Sequence, residues 1–141
     1  MDEKFWEKIY SLQENGEFEK IVKEIKNLPE DKLDMKLISV LSRAYINLED
    51  FENALNTNLS FIGKVKEDVT NANIWIYSEC GWICNEIRDF EQGLKYLLEA
   101  EKLGRDDEWL NTEIGQCLGK LKRAEEGLER LKKALKLIEV E

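Results

Sequence analysis

Glu79 with Glu113, Glu125 with Glu126, and the thiols Cys80 and Cys84 are the side chains of this sequence whose types suit acid–base or nucleophilic work. Neither chemistry is completed. The chain contains no histidine, which excludes a Ser-His-Asp triad, a Cys-His dyad and a zinc site built from Cys and His. Nothing beside the carboxylates supplies a nucleophile, an oxyanion site or a metal, and charged residues on helices are as a rule a solvated face. Cys80, Cys84 and Cys117 fall inside apolar helical patterns, where cysteine packs as a small inert hydrophobe, so no disulfide is expected. These residues describe a protein that is not an enzyme and uses neither cofactor nor metal.

Recognition is the chemistry that the spacing does favour. Trp75, Glu79, Trp82 and Glu86 follow one another at steps of four, three and four, which lays them along one stripe of a helix. Trp109, Glu113, Gln116 and Lys120 repeat the same steps. An indole face accepts a cation that a neighbouring carboxylate can pair with, so the stripe suits an apolar ligand carrying Lys or Arg. Packing between helices is the rival role for each tryptophan. It fits Trp75 and Trp109 best, since both open their helices at the same point; Trp82 is the sharper binding candidate, because Gln116 replaces it in the second stripe.

The elements that carry these stripes recur. At a shift of 34 residues, Trp75, Gly81, Gly93, Leu94, Leu97 and Ala100 meet Trp109, Gly115, Gly127, Leu128, Leu131 and Ala134 without a gap. A fixed period of this length means a two-helix unit stacked on copies of itself. Apolar periodicity places hairpins at about 3–28, 31–63, 71–103 and 106–139. Asn15-Gly16 stops the first helix, Pro29 closes the first pair, and Asp31 or a neighbour opens the second. Gly63 marks a helix end or a weak point, Thr70 or Asn71 caps the next helix, and Asp106 or Asp107 caps the one after Gly104. The turns inside the pairs are so short that each pair must be antiparallel. No strand pattern is present.

Laid over one another, the hairpins show Leu41, Tyr45, Phe51 and Ala54; then Tyr77, Cys80, Gly81, Phe90, Gly93 and Ala100; then Ile114, Gly115, Leu118, Gly127 and Ala134. This pattern resembles the tetratricopeptide repeat over nearly the whole chain, in the manner of a small stand-alone member of bacterial type. The resemblance implies an all-α fold, an α-solenoid of about four antiparallel helix-turn-helix hairpins in a single domain, with the first helix of each hairpin lining a concave groove. Carried across residue by residue, that lining is Trp6 and Tyr10, then Ser39, Arg43 and Asn47, then Trp75, Glu79, Trp82, Asn85 and Glu86, then Trp109, Glu113 and Gln116. The implied function is to hold a protein or peptide segment.

Members that clamp acidic chaperone tails do so with Lys, Arg and Asn. Here Arg43, Asn47 and Asn85 are opposed by Glu79, Glu86 and Glu113, so an apolar and basic segment is expected instead. The chain departs from the motif at Cys84 and Leu118, which replace tyrosine, and in the near absence of a closing proline. Gly81 follows Ser42 by 39 residues rather than 34, so five extra residues around KVKED must lengthen a helix or change the pitch. Gly93 and Gly127 stand in place of alanine inside helices, at a cost of ~1 kcal/mol each, which close backbone approach would offset.

Composition agrees with this reading. The chain has 141 residues, 43% hydrophobic and 36% charged, enough for one domain with a continuous core. A net charge of −9 opposes nucleic acid and anionic membranes, both of which would be repelled. MDEKFWEKIY lacks the apolar core of a signal peptide, so a cytoplasmic protein is expected. Leu121, Ala124, Leu128, Leu131, Leu135 and Ile138 recur at three and four residues, a seam like that of a coiled coil. Part of it must cover its own hairpin, and a homodimer is the alternative use of the rest.

Overall fold

A computed structural model describes residues 1–140, and apolar periods of helical length become helices throughout. They are α1 (Glu3–Glu14), α2 (Phe18–Lys26), α3 (Met35–Asn47), α4 (Phe51–Ser60), α5 (Val69–Glu86), α6 (Phe90–Lys102), α7 (Glu108–Lys120) and α8 (Ala124–Val140). A 3-10 turn spans Glu30–Lys32. The described residues hold no strand, and among them no helix is long and apolar enough to cross a membrane.

Aspartate starts most of these helices. Asp2, Asp34, Asp50, Asp89 and Asp107 each accept a hydrogen bond from the backbone N–H three residues on, at 2.9 to 3.3 Å, which satisfies one of the free donors at a helix start. One closing device ends the first helix of every hairpin. Gly16, Glu49, Arg88 and Lys122 adopt left-handed backbone with φ of 68°, 57°, 65° and 63°. The next residue then donates its N–H to the carbonyl five residues back: Glu17 to Leu12, Asp50 to Tyr45, Asp89 to Cys84 and Arg123 to Leu118. These tight turns fold α1 on α2, α3 on α4, α5 on α6 and α7 on α8.

The chain forms two compact units, residues 1–60 and residues from 61 onward. In the first, Ile9, Leu12, Ile21, Ile25, Leu37, Ile38 and Leu41 are buried along α1, α2 and α3. In the second, Leu94, Leu97 and Ala100 of α6 meet Leu110, Ile114, Cys117 and Leu118 of α7 in one core, edged by Tyr77, Phe90, Trp109 and Leu121. The α7/α8 hairpin is thus stacked on the α5/α6 hairpin.

The five extra residues lengthen a helix. Counted from their left-handed turn residues, α5 and α7 end together, but α5 has 18 residues and α7 has 13. Thr70 and Asn71, expected to cap this helix, instead lie inside its first turn. The N-cap is Asp68, itself left-handed at φ 49° and without a side-chain capping bond; its carboxylate takes the Asn71 side-chain N–H at 2.6 Å. Asp31 likewise does not open α3. It lies in the 3-10 turn, whose residues are all exposed and have nothing apolar to bury, and Asp34 caps the helix. Gly63 falls in the turn beyond α4, at φ 76°, where its N–H donates to Asn73 Oδ1 at 2.9 Å.

The helical glycines sit at close crossings. A Cβ on Gly127 would stand 2.8 Å from the Gly115 carbonyl oxygen and 3.2 Å from the Gly119 nitrogen. One on Gly93 would stand 2.1 Å from Asn85 Oδ1 and 3.3 Å from the Gly81 carbonyl oxygen. Close approach of α5 to α6 and of α7 to α8 therefore depends on these positions.

Candidate functional site

The two units present their candidate residues differently. In the first unit, α1 and α3 supply Trp6, Tyr10, Arg43 and Asn47. Trp6 and Tyr10, one turn apart, stack with ring centroids 5.8 Å apart, and Phe5 meets Trp6 edge-on at 5.5 Å. The ammonium of Lys36, on the first turn of α3, lies 3.9 Å from the Trp6 ring centroid and 5.5 Å from that of Tyr10. The aromatic pair thus already receives a cation of its own chain. Ser39 is half-buried, while Arg43 and Asn47 are exposed. The Asn47 side-chain N–H donates to the Arg43 carbonyl at 2.8 Å, an intrahelical bond that occupies one of its donors.

Lys36 was not among the expected groove residues, and the repeat register could have found it. Counted back from the left-handed turn residue, Lys36 holds in α3 the place of Trp75 in α5 and Trp109 in α7. Its contact with Trp6 joins separate helices, for which the sequence carries no local signal.

In the second unit, Trp75, Glu79, Trp82, Asn85 and Glu86 lie on α5, and Trp109, Glu113 and Gln116 on α7. The stripe is not uniformly open. Glu79 is only 6% exposed, so it is not a surface carboxylate. Trp75 and Trp82 are half-buried, and Glu86 and Gln116 are exposed. Trp109 packs against the α6/α7 core and carries the Arg105 guanidinium 4.4 Å from its ring centroid, which gives it a packing role.

Asn85 is the organising residue here. Its Nδ2 donates to Glu113 Oε2 at 3.1 Å, and its Oδ1 accepts from the Cys117 thiol at 2.9 Å, so one amide of α5 holds two side chains of α7. Gly93 makes this possible, since a Cβ there would occupy the space of Asn85 Oδ1. Burial pushes the Glu113 carboxyl above its ordinary range; the Asn85 hydrogen bond pulls the other way, and the charge of Glu86 adds to the rise. Asn85, Glu86 and Glu113 therefore form one small acidic cluster between the first helices of adjacent hairpins.

The cysteines behave as core. Burial pushes the thiols of Cys84 and Cys117 up to about 11 each and that of Cys80 higher still. At neutral pH no thiolate is available there for nucleophilic work.

A second polar network went unforeseen. Arg130 of α8 makes a two-pronged ion pair with Glu101 of α6 and donates to Asn111 Oδ1 at 3.3 Å. Asn111, fully buried in α7, donates to Asp106 Oδ1 at 2.9 Å, and Lys133 pairs with the same carboxylate at 3.0 Å. Hydrogen bonds from Asn111 and Lys133 hold the Asp106 carboxyl below its ordinary range. The network ties α6, α7 and α8 together, a structural task.

No protein-family model matches the chain, and no curated protein matches it in sequence. Solved structures do. MamA from AMB-1 is 18% identical with a TM-score of 0.46, over 94% of this chain and 89% of that one. A MamA chain running from residue 41 to the end, from Desulfovibrio magneticus RS-1, is 13% identical with a TM-score of 0.46, over 97% and 94%. MamA from MSR-1 is 14% identical with a TM-score of 0.44, over 96% and 95%. At these values the function has to be argued from the chain's own residues. What those residues build is an all-α protein of antiparallel helical hairpins.

Proposed function

We propose that the chain is a non-catalytic interaction module whose second unit holds, against α5 and α7, a protein segment carrying Lys or Arg among apolar residues. The observation that carries this is the cluster of Glu86, Glu113 and Asn85. Glu113 is held half-buried beside a second carboxylate, a position in which ionisation is costly and which a ligand cation would relieve. Trp82 lies one turn before Glu86 on the same helix and adds an indole to the site. The Lys36 ammonium on Trp6 and Tyr10 supports the same chemistry from within the chain. An acidic C-terminal peptide, by contrast, would bring its carboxylates against Glu86 and Glu113.

A fluorescence titration with short apolar peptides tests the proposal, one series bearing Lys or Arg and a matched series bearing Glu. The basic series is expected to saturate and the acidic one not. Glu86→Gln with Glu113→Gln is expected to weaken binding roughly tenfold, and Trp82→Ala by a similar factor, in chains whose helicity is unchanged. Equal binding of both series, or no effect of either substitution, overturns the assignment.

A further inference from the structure

The outer face of α8 is open where the matching face of α6 is covered. Leu94 and Leu97 are 7% and 0% exposed beneath α7, whereas their repeat counterparts Leu128 and Leu131 are 52% and 40% exposed. The stripe continues through Leu135 and Ile138, at 58% and 52%. At the same shift the places of those two residues are taken by Glu101 in α6 and by Gly104 in the turn beyond it, so the last hairpin is longer and more apolar on this face than the hairpin whose face is buried.

We infer that this face pairs with the same face of a second copy, α8 against α8 in antiparallel order about a two-fold axis between Glu129 and Arg130. Within α8 the spacing from Ala124 through Leu128 and Leu131 to Leu135, at steps of four, three and four, reads alike in both directions. Reversal about that point sets Leu128 opposite Leu131 of the second copy, and Ala124 opposite Leu135, large against small.

Charge selects this arrangement. Along the flank of the stripe, Glu125 lies in the acidic first half of α8 and Lys132 in the basic second half, and both are exposed. The antiparallel register brings Glu125 of each copy beside Lys132 of the other, twice by symmetry. A parallel pair would set this flank against the Gly127 and Ala134 flank of the other copy, which carries no charge to pair with, and an antiparallel pair shifted by one heptad would set Lys132 against Lys132. Of the arrangements that bury the stripe, the one proposed joins opposite charges on this flank. The inference does not rest on the α5–α7 site, which lies on other helices.

Sedimentation velocity of the full chain tests it, at about 10 to about 200 μM. The expected result is a reversible monomer–dimer equilibrium, abolished by Leu135→Arg, an exposed position at which the fold tolerates a charge. Glu125→Lys and Lys132→Glu are each expected to weaken the dimer roughly tenfold, and an equimolar mixture of the two variants to recover it, because only the mixed pair restores both attractions. Circular dichroism verifies that each chain is folded. A wild-type chain that stays monomeric across this range overturns the inference. So does a dimer that Leu135→Arg leaves intact, or one insensitive to both charge reversals.

Discussion

The surroundings of Glu113 make its charge a cost to the fold. Its folded pKa is raised by burial, so the folded protein holds that proton more tightly than the unfolded chain does. The stability it contributes is present below the ordinary carboxylate range and is lost as pH rises through the folded value. Glu113→Gln keeps an acceptor for Asn85 without the charge. It is therefore expected to raise the melting temperature at neutral pH, with the gain vanishing as the pH is lowered into the carboxylate range, as followed by thermal denaturation. The cysteines test burial more directly. With Cys84 and Cys117 pushed up to about 11 and Cys80 beyond, a thiol reagent at pH near 8 is expected to label the native chain orders of magnitude more slowly than the denatured one.

Among the elements, the helical glycines separate intrinsic propensity from packing. Gly127→Ala gains about 1 kcal/mol of helix propensity but drives a Cβ against backbone atoms of Gly115 and Gly119 that cannot turn aside. Overpacking of this kind costs about 1–3 kcal/mol, so a net loss of stability is expected in chemical denaturation. Gly119→Ala is the control. A Cβ there meets nothing within 4 Å, and the same experiment is expected to show a gain of about 0.5–1 kcal/mol. Gly93 falls between these cases. Its nearest obstacle is the Asn85 side chain, which can move only by giving up its bonds to Glu113 and Cys117.

At the scale of the whole molecule, the charge of −9 works with the local acidic cluster rather than apart from it. A basic segment is attracted before it makes contact, and salt screens that attraction. The affinity of the basic peptides is expected to fall roughly tenfold between about 50 and about 500 mM salt, measured by the same titration. An interaction that is purely apolar would hold or strengthen over that range.

Much of this was legible in the residues alone. The shift of 34 residues, the apolar period and the short turns determined helix number, pairing and turn positions, because helical period and turn signals are local properties of a chain. Of the caps only Asp107 was legible, since Asp31, Thr70 and Asn71 do not cap the helices they precede or enter. The five-residue surplus was legible as well, though only folding showed that it became an added stretch of α5. Which side of each stripe would meet water was not legible. Trp75 and Trp82 share the spacing of Glu79, yet Glu79 is buried, since exposure depends on which neighbouring helix lies over a face. Lys36 on Trp6, Asn85 across Gly93 to Glu113, and Arg130 on Glu101 are likewise contacts between separate helices. Local sequence decides which helices form, and only the tertiary packing decides which of their side chains meet.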